Sequence, residues 1–253
     1  MKFLLTGLTS FALFSGTHAL GMTLQTDLLD GVDGGSITKG AVTASLKHRY
    51  EEGKSRLSNQ IKSSTAVVTV KVNGKVVGTL VGPTKGGQPF SLMQVVELDR
   101  SNPYPEVILS AFSGGAHCCN QTRVLTSDSK GENWKEVVLA KWLDGAHKPA
   151  VSGRRGNQSI YHFENWDNRF YYKFASYAGS VAPQRFWLLK GDSFVDISKE
   201  EQFTWRFKSL ARRMDTQWKN METDSERNGY LAGYVAVKAR IEEFPYGWER
   251  MLE

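Results

Sequence analysis

The chain has 253 residues, with 32 Lys and Arg against 26 Asp and Glu, 40% hydrophobic residues and 2 Cys. This composition excludes an extended disordered chain, a small disulfide-rich domain and a multi-pass membrane protein, and it predicts one or two small globular domains. The formal net charge of +6 favours acidic surfaces as partners. None of these totals identifies a reaction.

Residues 1–19 have the features of a secretory signal peptide. Lys2 precedes an apolar run from Phe3 to Phe14, and small residues precede a cleavage point after Ala19. The run is too short and too interrupted to span a bilayer, which needs about 20 apolar residues. We therefore expect a periplasmic or secreted protein with no transmembrane segment after cleavage. Nucleic acid is disfavoured as a partner because the exported chain carries no nucleic-acid-binding motif.

Residues 20–64 are polar and rich in Gly, and we interpret them as a linker. The spacing of Leu46, Tyr50, Leu57 and Ile61 predicts at most one weak helix within it.

A β-hairpin is predicted from Thr65 onward, where two β-branched runs flank Asn73-Gly74. Both turn residues tolerate a positive φ, which a two-residue type I′ turn requires. This hairpin opens a predicted β domain that covers residues 65–198.

Eight further short strands are predicted after the hairpin, at residues 91–98, 106–112, 122–127, 134–140, 159–163, 170–177, 185–190 and 194–197. They fall into two similar sets, over about 91–140 and 156–198. An acidic loop, a Gly turn and the ending G-x-x-[WF]-x-[ED]-[VI] recur in the same order in both sets. We interpret this as an internal duplication, and the alternative is a chance similarity between two β meanders.

Residues 199–253 are predicted to be helical because the hydrophobic period changes to about 3.6 after Ile197. Two capping boxes, Ser198 with Glu201 and Thr223 with Glu226, indicate two helices in a hairpin. A strand at GYVAVKARI is the alternative for part of the second helix. The predicted fold class is α+β and mainly antiparallel β, with two blade-like four-stranded meanders, an N-terminal β-hairpin and a C-terminal helical hairpin.

The segment VVELDRSNPYPEVILSAFSGGAHCC, residues 95–119, has a strand, an acidic loop, an aliphatic strand and a Gly turn. It resembles the FG-GAP or VCBS-type repeat of the integrin-alpha N-terminal propeller superfamily, which also occurs in exported bacterial proteins of unknown function. The resemblance implies a calcium-type loop in which Asp99 and Glu106 hold the first and last acidic positions, with Ser101 or Asn102 between them. The alternative is an ordinary polar turn. A closed propeller needs roughly 16 strands, and the ten predicted here are too few.

The sequence His117-Cys118-Cys119 follows the turn at Gly114-Gly115 and contains both cysteines of the chain. In an exported protein this pair could form a disulfide between neighbouring residues. Neighbouring Cα atoms lie about 3.8 Å apart, below the usual disulfide range of about 4.4 to 6.8 Å, so such a bond would rigidify a tight turn. Two free thiols, or a metal or redox role, are the alternatives.

Candidate binding residues are those of this corner together with one aromatic residue, namely Gly114, Gly115, His117, Cys118, Cys119 and Trp166. Trp166 belongs to an aromatic string that could stack on sugars where it faces outward. The carboxylates of Glu106, Glu164 and Asp167 could form an acid/base pair for glycan hydrolysis, or they could be turn residues. No recognised catalytic motif is present in the sequence.

Five basic residues of the first predicted helix lie away from its apolar stripe, namely Arg206, Lys208, Arg212, Arg213 and Lys219. This face could simply be solvated, or it could contact an anionic envelope polymer or an acidic protein. The sequence favours an exported, non-catalytic binding or scaffolding protein of the bacterial cell envelope that requires no cofactor. An envelope-glycan enzyme, or a metal or redox protein centred on the cysteine pair, remains the alternative.

Overall fold

The fold was determined from a computed structural model. It describes residues 28–30, 34–54, 59–87, 90–115, 119–143, 149–155, 158–217 and 224–253. The predicted signal peptide lies outside these residues.

Three antiparallel sheets and three C-terminal helices form an α+β structure that is mainly β, which confirms the predicted fold class. The first sheet contains β2 (Gly35–Lys39), β3 (Val42–Lys54), β4 (Asn59–Val72) and β5 (Lys75–Gly86). The second contains β1 (Leu28–Asp30), β6 (Ser91–Val96), β7 (Glu106–Phe112), β8 (Asn120–Ser127) and β9 (Trp134–Leu143). The third contains β10 (Ala150–Arg155), β11 (Gln158–Trp166), β12 (Gln184–Lys190) and β13 (Ser193–Asp196).

The second sheet lies in the middle and is buried on both faces. Val107 and Leu109 of β7 pack in one apolar cluster with residues of the first sheet. Ile108, between them, packs on the opposite face with Phe163 and Leu189 of the third sheet. Because successive strand residues point to opposite faces, a largely apolar strand such as EVILSAF, with six of its seven residues buried, can occupy this middle layer.

The predicted hairpin at Asn73-Gly74 is confirmed. Val72 pairs with Lys75, and Asn73 and Gly74 have φ values of 49° and 81°, as a type I′ turn requires. The hairpin is part of the first sheet, where it pairs with β3 along the length of β4.

The linker and weak helix expected before Thr65 are wrong, because residues 35–39, 42–54 and 59–64 are strands. The buried side chains of Val42, Ala44 and Leu46 alternate with more exposed ones, so the period is two and not 3.6. Cross-strand pairs such as Leu46 with Val68 stabilise this arrangement.

The strand predicted at 170–177 is also wrong. A short 3₁₀-helix (Asn168–Phe170) and turns occupy this region, and the carboxylate of Asp167 accepts from the backbone N–H and guanidinium of Arg169. The third sheet obtains its fourth strand from β10, which the sequence analysis did not predict. The second set therefore lacks the strand predicted at 170–177, and the internal duplication stays a prediction.

Helices α1 (Glu201–Gln217), α2 (Asp224–Arg240) and α3 (Phe244–Leu252) pack beside the third sheet. Phe203 of α1 stacks on Phe186 of β12 at a ring separation of 3.9 Å, and Tyr230 of α2 donates a hydrogen bond to the Met214 carbonyl. GYVAVKAR, residues 233–240, is helical, and Ile241 lies in the turn that follows. The predicted capping box of Ser198 with Glu201 is wrong. The Ser198 hydroxyl instead accepts a hydrogen bond from the Phe186 N–H and donates one to the Asp196 carboxylate. Thr223 lies outside the described residues.

Candidate functional site

The exposed side of α1 carries an aromatic ring among cations. Trp205 is 65% exposed, and Lys208 and Arg212 follow it at helical spacings of three and seven residues. Since a helix places such residues on one side, these groups and the adjacent exposed Arg213 form one surface. We call Trp205, Lys208, Arg212 and Arg213 the α1 cationic surface.

One apolar cluster and one ionic contact fix this helix on the sheet. Phe203 and Phe207, on the opposite side of α1, pack among Phe186 and residues of α2. Arg206 donates to the Glu164 carboxylate at 2.7 Å, and the His162 ring nitrogen Nε2 is 2.8 Å from the same oxygen. Hydrogen bonding from His162 and then Arg206 lowers the pKa of Glu164. Arg206 therefore fastens α1 to β11, unlike the solvent-facing role expected from the sequence.

The remaining cations of the surface are available to a partner. Within the part of the chain that the structure describes, no carboxylate forms an ion pair with Lys208, Arg212 or Arg213. Asp215, on the same helix, accepts a hydrogen bond from Tyr234 and lies 3.8 Å from Lys238 of α2. The surface therefore keeps its positive charge. Lys219, also predicted to belong to it, lies outside the described residues.

The three residues of the predicted calcium loop form a different structure. Glu106 is fully buried, and its carboxylate accepts hydrogen bonds from the backbone N–H groups of Leu98 and Asp99 at 2.7 and 3.1 Å. It also accepts from the Asn102 amide at 2.7 Å and the Thr126 hydroxyl at 3.0 Å. These donors occupy the positions around the carboxylate that a cation would need.

The Asp99 carboxylate is directed elsewhere, since it accepts from the backbone N–H groups of Ser101 and Gly191. Across the described residues, no cluster of three His, Cys, Asp or Glu side chains is arranged to hold a metal. Asp99, Asn102 and Glu106 thus stabilise the loop before β7 without assembling a calcium-type ligand set.

Burial raises the pKa of Glu106 to about 7, although the hydrogen bonds from Asn102, Leu98 and Asp99 act in the opposite direction. A fully buried carboxylate with four protein donors cannot contact a glycan. Glu164 is bonded to Arg206, and Asp167 is paired with Arg169. The structure does not bring these three carboxylates together as an acid/base pair.

The Gly-Cys corner lies at the other end of β7 from this loop. Gly114 has a φ of 87°, and both Gly114 and Gly115 are exposed. Seven residues of β7 separate the two regions by roughly 20 Å, so the corner and the loop do not converge on one concave surface.

Cys119 is buried and disulfide-bonded, and its carbonyl accepts hydrogen bonds from the Ser113 N–H and hydroxyl at 2.9 and 3.0 Å. Its φ of 130° lies in a region that L-residues rarely adopt. His117 and Cys118 lie outside the described residues. Trp166 ends β11 and is 42% exposed, on a different strand and sheet from the corner.

The cations of α1 were predictable from the sequence, whereas Trp205 was not among the predicted residues. The apolar positions from Phe203 to Met214 follow one stripe, and Trp205 lies off that stripe. A large aromatic residue on the polar side of an amphipathic helix was the signal that could have identified it.

Comparison with known proteins finds one family model that is similar to the C-terminal helices. Residues 207–253, from the middle of α1 through α3, match the family model described as the sll0997 C-terminal domain. The FG-GAP resemblance drawn from the sequence is wrong, because this is the family that matches and the three sheets form no closed propeller among the described residues.

Two relatives are similar over more of the chain. A probable thylakoid lumen protein, sll0997, from Synechocystis sp. (strain ATCC 27184 / PCC 6803 / Kazusa) is 39% identical over 220 residues. That match covers 87% of this chain and 62% of the relative. An uncharacterized protein, y4bJ, from Sinorhizobium fredii (strain NBRC 101917 / NGR234) is 28% identical over 183 residues, covering 67% of this chain and 27% of the relative.

This chain therefore spans less than two thirds of the length of either relative. No solved structure matches the chain. Among the described residues, no helix has the length and apolar character needed to cross a membrane.

Proposed function

We propose that the protein is an exported, non-catalytic binding or scaffolding protein of the cell envelope, and that it binds an anionic envelope polymer through the α1 cationic surface. The observation that carries the proposal is the exposed Trp205 ring beside Lys208 and Arg212. The name of the sll0997 relative, a probable thylakoid lumen protein, supports a location outside the cytoplasm. The signal-peptide pattern of residues 1–19 supports the same location.

An anionic polymer suits this surface for two physical reasons. Three cations within two turns of one helix offer closely spaced positive charge to a repeating anion, and the net charge of +6 strengthens the attraction at long range. The flat ring of Trp205 provides a platform on which a sugar ring can stack. An acidic protein would use the same cations, and we prefer a polymer because the Trp205 ring offers its sugars a stacking platform.

Binding to immobilised polymers tests this proposal. We expect the protein to bind polygalacturonate saturably at low salt, to lose that binding at high salt, and to leave neutral dextran unbound. No fragments should accumulate with time, because the surface carries no arranged nucleophile or acid/base pair. Equal binding to both polymers contradicts the proposal, and time-dependent cleavage of either polymer favours an enzyme instead.

We further propose that Cys118 and Cys119 form the disulfide between neighbouring residues. Cys119 is disulfide-bonded, and the chain contains one other cysteine, Cys118. The proposed role is structural, because Cys119 joins the end of the β7–β8 connection to Ser113. A monomer on non-reducing gels, with two thiols appearing only after reduction, supports this pairing, and a disulfide-linked dimer contradicts it.

A further inference from the structure

A polar cleft lies where the second and third sheets meet, and it is lined by residues other than those of the α1 cationic surface. Three segments surround it, namely the loop before β7, the β8–β9 turn and the β12–β13 turn. The cleft has a volume of about 280 Å³. The residues that give it chemical character are Ser101, Asp128, Ser129, Asn133, Lys135 and Asp192.

Contacts between these segments hold the cleft open in a fixed shape. The Asp99 carboxylate accepts from the backbone N–H groups of Ser101 and Gly191, which joins the first segment to the third. Lys135 donates to Asp192 at 3.1 Å, which joins β9 to the same turn. The cleft is therefore formed by residues more than fifty positions apart, before any ligand enters.

The β8–β9 turn is organised by Asp128. Its carboxylate accepts from the backbone N–H groups of Lys130 and Glu132 at 3.1 and 2.9 Å, and from the Asn133 amide at 2.6 Å. These bonds, the Glu132 N–H first, lower the pKa of Asp128 to about 2. The carboxylate stays ionised and fixed at the edge of the cleft.

The lining excludes several classes of ligand. It contains no aromatic or aliphatic side chain other than the stem of a lysine and the methyl of a threonine, so an apolar ligand gains little. Two carboxylates against one ammonium group make the lining net negative, which disfavours phosphate and other anions. Asp128 is occupied by three protein donors and Asp192 by Lys135, so a divalent cation would have to displace existing contacts.

A neutral, hydroxyl-rich molecule suits the hydrogen-bonding groups that line the cleft. Serine hydroxyls and the Asn133 amide both donate and accept, carboxylates accept from ligand hydroxyls, and Lys135 donates. We propose that this cleft binds one residue of an uncharged glycan. The cleft and the α1 cationic surface use different residues, so each binding activity can fail without the other.

Calorimetric titration of the purified protein tests the proposal, with methyl glucoside, methyl galactoside, N-acetylglucosamine and cellobiose as probes and with inorganic phosphate and CaCl₂ as comparators. We expect at least one neutral sugar to saturate the protein. Asp192→Asn and Lys135→Met should each weaken the binding of that sugar by about fivefold, which corresponds to the loss of one hydrogen bond. The matched controls Glu132→Gln and Lys130→Met, on the β8–β9 turn but outside the lining, should leave the affinity unchanged.

Ser129→Val gives an independent readout where the ion-pair variants fail to fold. Ser129 is exposed and its side chain forms no hydrogen bond among the described residues, so its replacement adds bulk to the lining without removing a structural contact. We expect it to weaken sugar binding while the melting temperature stays unchanged. The proposal is overturned if no neutral sugar saturates the protein at roughly 10 mM. It is equally overturned if phosphate or calcium binds in place of sugar, or if the cleft variants and their controls behave alike.

Discussion

The acidic loop before β7 and the exposed side of α1 both concentrate charged groups, and they differ in what those groups contact. In the loop, Glu106 is buried and accepts four hydrogen bonds from the protein. On α1, Lys208, Arg212 and Arg213 face solvent without an ion-pair partner among the described residues. The contrast shows that the loop charge has a structural role, whereas the helix charges are available for binding.

Removing the Glu106 carboxylate from the loop should lower the free energy of unfolding more than any change on α1. Glu106→Ala leaves two backbone N–H groups, the Asn102 amide and the Thr126 hydroxyl without their acceptor. We expect a loss of about 4 kcal/mol in the free energy of unfolding, since each buried unpaired group costs on the order of 1 kcal/mol or more. Chemical denaturation measures it. Glu132→Ala, which removes an exposed carboxylate, is the control, and an equal loss in both would show that the loop does not depend on Glu106.

The ionisation of Glu106 should have the next largest effect on the free energy of unfolding. Its pKa is about 7 in the folded protein and about 4.5 when exposed, so the folded state holds a proton that the unfolded state releases between these values. The stability contribution is complete below pH 4.5 and is lost as the pH rises to about 7. The change is about 3 kcal/mol.

Comparing the wild type with Glu106→Gln isolates this group, because the variant cannot ionise at that position. The difference between their free energies of unfolding should vary between pH 4.5 and 7 and stay constant above pH 8. A difference that is independent of pH throughout would show that the carboxylate ionises normally in the folded protein.

The packing of α2 helps to hold α1 in place, and changing it should lower the free energy of unfolding by less than the changes at Glu106. A Cβ at Gly229 would lie 2.2 Å from the Gly179 carbonyl oxygen, so the absence of a side chain permits this close contact. Gly229→Ala should destabilise the protein by about 2 kcal/mol despite the better helix propensity of alanine. Thermal unfolding measures this, with the exposed Asn228→Ala as the control. Unchanged stability in Gly229→Ala would contradict the close packing.

The smallest expected effect on stability is that of Trp205. Its ring is exposed, so Trp205→Ala should change the free energy of unfolding by less than about 0.5 kcal/mol. The same change should weaken polygalacturonate binding severalfold, because the stacking platform is lost. Parallel unfolding and binding curves separate the two quantities. A large destabilisation with normal polymer binding would show that Trp205 is structural.

The sequence predicted those parts of the fold whose signal is local. Asn73-Gly74 specifies its turn through the positive φ values of two adjacent residues, and β6 to β9 follow from short apolar runs. Residues 42–54 were misinterpreted because Leu46 and Tyr50 are four apart, as in a helix, while the burial that defines β3 depends on pairing with β4. The aromatic run near Phe174 favoured a strand by composition, but the Asp167 carboxylate organises a turn there.

The binding features were less predictable because they depend on distant contacts. The sequence identified the cations of α1, but it could not show that Arg206 bonds Glu164 while Arg212 stays exposed. The cleft could not be predicted at all, since Asp99 and Gly191 are joined across 92 positions. The acidic residues of the loop resembled metal ligands in sequence, and only their hydrogen bonds showed that Glu106 accepts from protein donors instead.

Charge reversal on α1 tests the central claim most directly. Arg212→Glu with Arg213→Glu should be compared with Lys71→Glu and Lys75→Glu, an equal charge change at exposed positions of the first sheet. The measurement is the dissociation constant for polygalacturonate at low salt. We predict a loss of roughly tenfold or more for the α1 variant and a much smaller loss for the control. Equal dissociation constants for the two variants would contradict the assignment of binding to α1.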